Sequence, residues 1–297
     1  MFRPFNGALF IEPVTYGVLM LSSTNAITPN GYIRFRDYLQ KVCGISLSDN
    51  KQYLVASRLG KILEREGFSK IEQLVDALER LGGSKLKEEV INAMTTNETL
   101  WFRDTHPFTI LKDKVLPEMT VAPLRIWSAA SSTGQEPYSI SMVIEEFKAS
   151  RPGVLKAGEK IVATDICTNI LQHAKQGEYD SLAIARGLGA DLQRRYFDKV
   201  NDLTWKIKPH LSARVEFKYL NLIESFSMLG KFDVIFCRNV LIYFTVDLKL
   251  DILKRMHASL KPGGYLFLGG SEALSGLSDY FEIVQCHPGI VYKAKAL

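Results

Sequence analysis

Short apolar runs alternate with longer helical segments from about residue 124 onward, and this alternation limits the possible folds more than any other feature. The four clearest runs are 124–129, 160–165, 232–237 and 264–269. Each run has the length of a strand, whereas the segments between them have the length and polarity of helices. The pattern predicts a doubly wound α/β domain with a mostly parallel sheet, followed by an antiparallel tail near 281–285 and 290–293.

Other parts of the chain have a different pattern. Residues 28–95 carry apolar side chains at helical spacing and predict an all-α N-terminal domain. Segment 177–219 has glycines and short alternating runs at 204–208 and 215–219, which predict a small inserted β subdomain with a hairpin. The expected order is a disordered leader or over-extended start (1–27), a helical domain (28–95), a linker or lid (96–123), and an α/β domain (124–297) with its insert (177–219).

Composition argues against several classes of site. The 4 cysteines form no CxxC pair and the 5 histidines share no ligand spacing, so we expect no metal and a reducing, cytoplasmic location. A net charge of +5 without a run of like charges gives no reason to expect nucleic-acid binding. No segment approaches the roughly 20 apolar residues of a membrane span, so direct membrane insertion is not expected.

Polar side chains follow the predicted strands at their carboxyl ends, where doubly wound sheets bind ligands. Glu136 begins a helix after the first strand and would favour a cationic ligand group or pair with the helix dipole. Asp165 ends the second strand and suits the two hydroxyls of a ribose, or caps the next helix. Arg238 and Asn239 leave the third strand. The sequence has no GxGxxG motif, which disfavours a nicotinamide dinucleotide.

Four cations fall on one face of the helix predicted near 50–66. They are Lys51, Arg58, Lys61 and Arg65. Between residues 31 and 70 there are 8 Lys and Arg against 4 Asp and Glu, a local balance of +4. The face is either simply solvated or a docking surface for an acidic helix.

Together, these segments resemble the chemotaxis receptor glutamate methyltransferases of the CheR family. The matching blocks are 97–103, 129–139, 163–166, 232–244, 260–264 and 269–272. They occur in family order and spacing over about 28–293, and the resemblance implies the fold of class I S-adenosylmethionine-dependent methyltransferases. It also implies that S-adenosylmethionine contacts Asn97, Thr99, Arg103, Glu136, Asp165, Asn221, Leu222, Arg238 and Asn239.

The resemblance implies methyl transfer to glutamates of the cytoplasmic helical region of chemoreceptors, with S-adenosylhomocysteine as the second product. A glutamate is ionised at neutral pH and needs no general base. Arg103 and Tyr243 are the candidates for aligning its carboxylate, and the cationic face would dock the acidic receptor helix. We expect a monomeric enzyme without a metal.

One segment departs from part of the family. Some members have a glycine-rich hairpin in the inserted subdomain that grips a peptide at the receptor's C-terminus. Segment 198–203 of this chain is short and lacks glycine, so we expect a tether-independent enzyme.

Three alternatives remain at this stage. A nucleic-acid or small-molecule methyltransferase would need a base clamp, a basic groove or a deprotonating group, and the sequence lacks the first two. A non-catalytic cofactor sensor would be favoured by loss of Arg103 or Tyr243, but both are present. A nicotinamide dehydrogenase is least favoured, because the glycine fingerprint is missing.

Overall fold

The computed structural model describes residues 27–80, 85–119 and 123–296. All but the last residue of the expected leader therefore lies outside the described residues. The N-terminal domain is formed by α1 (Pro29–Cys43), α2 (Gln52–Glu66), α3 (Ile71–Arg80) and α4 (Lys85–Met94). Thr28 caps α1 by accepting a hydrogen bond from the Gly31 amide at 3.0 Å, as N-cap threonines do. Apolar side chains of all the helices meet in one core, which confirms the all-α domain.

The second domain begins with short helical segments and the first half of a sheet. These are α5 (His106–Ile110), a π-helical turn (Leu111–Val115), α6 (Leu116–Glu118), β1 (Leu124–Ala129), α7 (Gln135–Ser150), β2 (Glu159–Asp165) and α8 (Thr168–Gln176). An insertion follows, with β3 (Glu178–Asp180), α9 (Ser181–Ala185), α10 (Ala190–Tyr196), β4 (Phe197–Lys199) and β5 (Thr204–Ile207).

The chain then completes the sheet. The remaining elements are α11 (Pro209–Ser212), β6 (Val215–Tyr219), a 3₁₀ turn (Ser227–Leu229), β7 (Phe232–Cys237), a second 3₁₀ turn (Leu241–Tyr243), α12 (Val246–Ser259), β8 (Leu260–Leu268), β9 (Phe281–Cys286) and β10 (Gly289–Ala294). In the described ranges, no helix is both long and apolar enough to cross a membrane.

The main sheet has the strand order β6-β2-β1-β7-β8-β10-β9. Neighbours from β6 to β8 pair in parallel, whereas β10 pairs antiparallel with both β8 and β9. The structure confirms the doubly wound sheet and its antiparallel tail. Because the chain leaves β1 toward β2 and later returns on the other side to β7, the carboxyl ends of these strands flank a switch point, where such sheets bind ligands.

Half of the predicted linker is part of the core. Phe108, Leu111 and Val115 are buried and pack with Ile126 and Phe236 under one face of the sheet. Their spacing of three and four residues places them on one helical face. The expectation of a linker or lid over 96–123 therefore does not describe 106–118, which pack in the core.

The inserted subdomain ends earlier than its predicted boundary at residue 219. Residues 215–219 form β6, which pairs in parallel with β2 in the main sheet, because Phe217 is buried against the core while Glu216 and Lys218 form an outward ion pair. The insert has its own sheet of order β3-β5-β4. Its hairpin joins β4 to β5 around 200–203, and the second run that we assigned to the insert belongs elsewhere.

The insert encloses Trp101, which is fully buried. The indole Nε1 donates to the Ala183 carbonyl at 3.0 Å, and the Trp101 amide donates to the Arg186 carbonyl at 3.1 Å. The indole ring meets Tyr179 and Phe197 edge-on at centroid distances of 4.9 and 5.3 Å. Segment 97–103 is thereby fixed by the insert.

A glycine pair in the insert tests this attachment. Gly187 has a φ of +99°, and a Cβ there would lie 2.2 Å from the Trp101 carbonyl oxygen, whereas a Cβ on Gly189 would meet nothing within 4 Å. We expect Gly187→Ala to lower the free energy of unfolding by about 1–3 kcal/mol, as overpacking and backbone strain do. Gly189→Ala should change it little. Denaturant unfolding measures both, and equal stabilities for the two variants would contradict the attachment.

Candidate active site

A cleft with an empty volume of ≈ 1190 Å³, part of it open to solvent, lies between the helical domain and the carboxyl edge of the sheet. Its walls come from the α1–α2 loop, α2, segment 94–99 and the ends of β1, β2, β6 and β7. Every residue predicted to contact a cofactor or align a substrate lines it: Asn97, Thr99, Arg103, Glu136, Asp165, Asn221, Leu222, Arg238, Asn239 and Tyr243. Residues separated by almost 150 positions in the chain therefore meet at one place.

Asp165 is buried at the end of β2. Its Oδ1 accepts a hydrogen bond from the Cys167 amide and its Oδ2 accepts one from the Ser132 amide, both at 2.9 Å. Burial raises the pKa of this carboxyl, and the amide donors oppose the rise. Because a carboxylate oxygen can accept more than one hydrogen bond, both oxygens can also accept from a ligand in the cleft. The turn-capping and ligand-binding interpretations of Asp165 are compatible.

Glu136 is held at the start of α7 by two partners. Ser128 donates its hydroxyl to Oε1 at 2.7 Å, and Arg238 donates to Oε2 at 3.0 Å. Burial raises the pKa of Glu136, while the Arg238 charge counteracts this effect. The pair places a carboxylate at the cleft wall beside a buried cation, which keeps an otherwise costly buried charge tolerable.

Arg238 forms hydrogen bonds with several protein groups beside the cleft. Its side chain is 1% exposed, and besides Glu136 it donates to the Arg103 carbonyl at 2.8 Å and to Asp104 at 2.7 Å. The sequence predicted a cofactor contact for Arg238, but both terminal nitrogens bind protein groups. Of its five N–H donors, the one on Nε, which is buried without a hydrogen-bond partner among the described residues, and the second one on Nη1 remain for another acceptor.

The segment held by Arg238 has an unusual backbone. Phe102, Asp104 and Thr105 have φ values of 50°, 65° and 49°, a region that non-glycine residues rarely occupy. Arg103 lies within this strained turn, lines the cleft and donates to the Glu98 carbonyl at 3.0 Å. Strain of this kind persists only where surrounding contacts enforce it, and the Arg238–Asp104 ion pair is such a contact.

Asn221 and Leu222 form the wall nearest the helical domain. Both are buried, and the Asn221 amide donates to the Val42 carbonyl at 2.8 Å. Tyr243 ends a 3₁₀ turn, and its carbonyl accepts a hydrogen bond from the Ser46 amide at 2.8 Å. The last turn of α1 and the following loop are thus tied to the sheet edge, which fixes how the two domains enclose the cleft.

The cationic face of α2 is less uniform than its spacing suggests. Arg58 turns inward, where it lines the cleft and donates to the carbonyls of Met94 and Thr95 at 2.6 and 3.0 Å. It is a structural group rather than part of an exposed docking stripe. Arg65 forms ion pairs with Glu66 and Glu89. Lys61 is exposed, and Lys51 lies half-buried, with Nζ 5.7 Å from the centroid of the Tyr53 ring.

Sequence reasoning missed or misassigned several residues in or beside the cleft. Asp104, which follows the cleft residue Arg103, was missed because no sequence motif indicates a strained turn there. Arg58 was assigned to the wrong face, since helical spacing alone does not indicate which polar side chain finds partners. Ser131 has a buried hydroxyl without a hydrogen-bond partner among the described residues, and only its place in the small-residue loop could have suggested a ligand contact.

Comparison with known protein families assigns both domains. Residues 30–95 match the family model described as CheR methyltransferase, all-alpha domain. Residues 97–290 match the model described as CheR methyltransferase, SAM binding domain. The boundary between the two matches coincides with the end of α4.

Curated relatives match over nearly their whole length. Chemotaxis protein methyltransferase Cher2 of Pseudomonas putida is 56% identical over 88% of this chain and 97% of the relative. Chemotaxis protein methyltransferase 1 of Pseudomonas aeruginosa is 56% identical over 88% of this chain and 96% of its own. The protein of that name from Vibrio cholerae is 49% identical over 91% and 98%. The chain therefore belongs to the CheR methyltransferase family and is a methyltransferase of chemotaxis with an S-adenosylmethionine-binding domain.

Proposed function

We propose that this enzyme transfers the methyl group of S-adenosylmethionine to glutamate side chains on the cytoplasmic helices of chemoreceptors. The products are glutamate γ-methyl esters and S-adenosylhomocysteine, and the reaction serves adaptation in chemotaxis. We further propose that the enzyme acts in the cytoplasm as a monomer and does not need a tether peptide at the receptor's C-terminus. The observation that carries the proposal is the convergence of Asp165, Glu136, Arg103 and Tyr243 on one cleft.

The donor groups of the cleft fit S-adenosylmethionine. Asp165 would accept from the ribose hydroxyls, and the carboxylate of Glu136 would face the cationic part of the amino-acid moiety. Leu222 offers an apolar wall to the adenine, while the unpartnered Ser131 hydroxyl and Arg238 Nε offer further polar contacts, since buried polar atoms normally have a partner. Asn97, Thr99 and Asn239 line the same space.

When bound, S-adenosylmethionine supplies a methyl group activated by a positively charged sulfonium. The nucleophile, a glutamate carboxylate, is already ionised at neutral pH because its ordinary pKa is about 4.3. Opposite charges disappear as the new bond forms, so water stabilises the reactants more than the transition state. The residues of the cleft therefore have to exclude water and align the carboxylate, and such alignment can supply several kcal/mol.

Arg103 and Tyr243 are the groups proposed to align the carboxylate. Arg103 lies in the strained turn at the cleft, where its guanidinium can donate two hydrogen bonds to a carboxylate. Tyr243 is tied through its backbone to the α1–α2 loop, and its hydroxyl can donate one. Neither residue needs to exchange a proton in this chemistry.

The receptor helix is proposed to dock on the outer face of α2. Lys61 and Lys51 carry the positive charge there, with part of the Arg65 charge neutralised by Glu66 and Glu89. Lys61 forms no hydrogen bond or ion pair within the described ranges, so its charge is available to an acidic partner. Docking electrostatics of this type set encounter rate and orientation.

Tether independence is supported by the geometry of the insert hairpin. The turn between β4 and β5 is closed by hydrogen bonds from the Val200 and Asn201 amides to the Thr204 carbonyl at 2.9 and 3.3 Å. The Leu203 amide donates to the Asn201 side chain at 2.9 Å. This tight turn has no glycine and leaves no long loop to close over a peptide.

Incubation with radiolabelled S-adenosylmethionine and receptor cytoplasmic fragments tests the proposal. We expect base-labile label on fragments with and without their C-terminal residues, at equal initial rates, because docking is assigned to α2. Arg103→Ala should lower the rate by at least about tenfold, in keeping with the cost of misaligned reactants. Label only on fragments that retain the C-terminus would contradict tether independence, and base-stable label would contradict an ester.

Reversal of one charge on α2 tests the docking face. Lys61→Glu should raise the KM for the receptor fragment by about three- to tenfold at low salt, because an attractive contact becomes repulsive. The difference should shrink at high ionic strength, and the affinity for S-adenosylhomocysteine should stay unchanged. Lys70→Glu makes the same charge change outside the stripe and serves as the control. An equal KM for the two variants would remove Lys61 from docking.

A further inference from the structure

Glu272 accepts hydrogen bonds from three backbone amides, one of which belongs to the cleft residue Asn239. Its Oε2 accepts hydrogen bonds from the Asn239 amide at 2.7 Å and from the Gly269 amide at 2.8 Å. Its Oε1 accepts one from the Leu241 amide at 2.8 Å. The donors come from the segments that follow β7 and β8, so one carboxylate joins two neighbouring strand ends. Hydrogen bonds to an ionised acceptor are among the stronger ones in proteins.

The segment held in this way carries two residues of the proposed site. Asn239 has a φ of 58°, which an asparagine adopts at a cost that its surroundings must offset. Leu241 begins the 3₁₀ turn that ends at Tyr243. The amides bound by Glu272 therefore belong to Asn239 itself and to the first residue of the Tyr243 turn.

Gly269 allows the carboxylate to approach so closely. A Cβ on this residue would lie 2.7 Å from Glu272 Oε2, 2.8 Å from Asn239 Nδ2 and 2.9 Å from the Asn239 amide nitrogen. A Cβ on the next residue, Gly270, would meet nothing within 4 Å. A side chain on Gly269 would therefore disturb the contact between Glu272 and Asn239, whereas a side chain on Gly270 would not.

We propose that Glu272 is a positioning residue of the methyl transfer, which holds segment 239–243 so that Asn239 and Tyr243 face the cleft. It acts through these residues and does not touch the reacting atoms. The inference rests on the proposed function, because Tyr243 is assigned there to carboxylate alignment. Its segment neighbour Asp279 is an exposed carboxylate and provides a matched control.

Glu272→Gln is the sharpest variant, because it keeps the shape of the side chain. A glutamine has one carbonyl oxygen, so its amide group must face at least one of the three N–H donors. We expect the kcat per S-adenosylhomocysteine-binding site to fall by about tenfold or more, since displacement of an aligning group by about 1 Å can cost that much. The KM for the receptor fragment should change less than about threefold, as α2 is untouched. Asp279→Asn should behave as the wild type.

A double-mutant cycle with Tyr243→Phe tests whether Glu272 acts through Tyr243. If it does, the effect of Glu272→Gln on kcat should shrink markedly in the Tyr243→Phe background. An undiminished effect, or a wild-type kcat for Glu272→Gln alone, would overturn the inference. A wild-type kcat for Tyr243→Phe alone would instead refute the alignment role given to Tyr243 in the proposed function.

The glycine pair keeps the inference testable if Glu272→Gln does not fold. Gly269→Ala leaves the carboxylate in place but displaces it from Asn239, so its kcat should fall as that of Glu272→Gln does. Gly270→Ala should keep the wild-type kcat. Both variants are assayed at a temperature at which circular dichroism shows them folded, and equal kcat values for the two would also overturn the inference.

Discussion

The buried guanidinium of Arg238 is the interaction on which the site depends. From the end of β7 it reaches Glu136 at the start of α7, and it reaches Asp104 and the Arg103 carbonyl in the turn beyond the helical domain. Burial of a single cation is costly, but two carboxylates and a carbonyl oxygen compensate for the lost water. One side chain thus fixes the Glu136 carboxylate at the cleft wall and the strained turn that carries Arg103, and its planar fork sets the relative positions of these two parts.

Other single side chains around the cleft also bind main-chain groups of separate segments. Asp165 binds main-chain amides of its own turn and of the loop after β1. Asn221 binds the last turn of α1, and Trp101 binds the insert. Apart from the Asp165–Cys167 contact, each of these contacts joins elements that are distant in sequence. The cleft is therefore shaped by polar contacts between separate segments of the chain, while the sheet beneath it is stabilised by apolar packing.

Much of this arrangement could be predicted from the sequence. The periodicity of apolar residues predicted the sheet and the all-α domain. All the site residues that the family resemblance implied line one cleft. The failures have physical causes. Residues 215–219 alternate like a hairpin strand, but the edge of β2 was the available partner. Arg58 has the spacing of a surface cation, but free carbonyls at the end of α4 bind it. The role of Arg238 depends on three partner groups in two segments that are distant from it in sequence, which no local pattern reveals.

The most direct test of this account is the affinity of Arg238→Lys for S-adenosylhomocysteine, measured by calorimetry. A lysine carries its charge at one point and cannot serve Glu136, Asp104 and the Arg103 carbonyl together. Arg214→Lys is the control, because Arg214 also binds two carboxylates, those of Glu145 and Glu159, but lies outside the cleft. The account predicts an affinity loss of about tenfold or more for Arg238→Lys, the scale of one lost charged hydrogen bond, and none for Arg214→Lys. Wild-type affinity of a folded Arg238→Lys variant would contradict it.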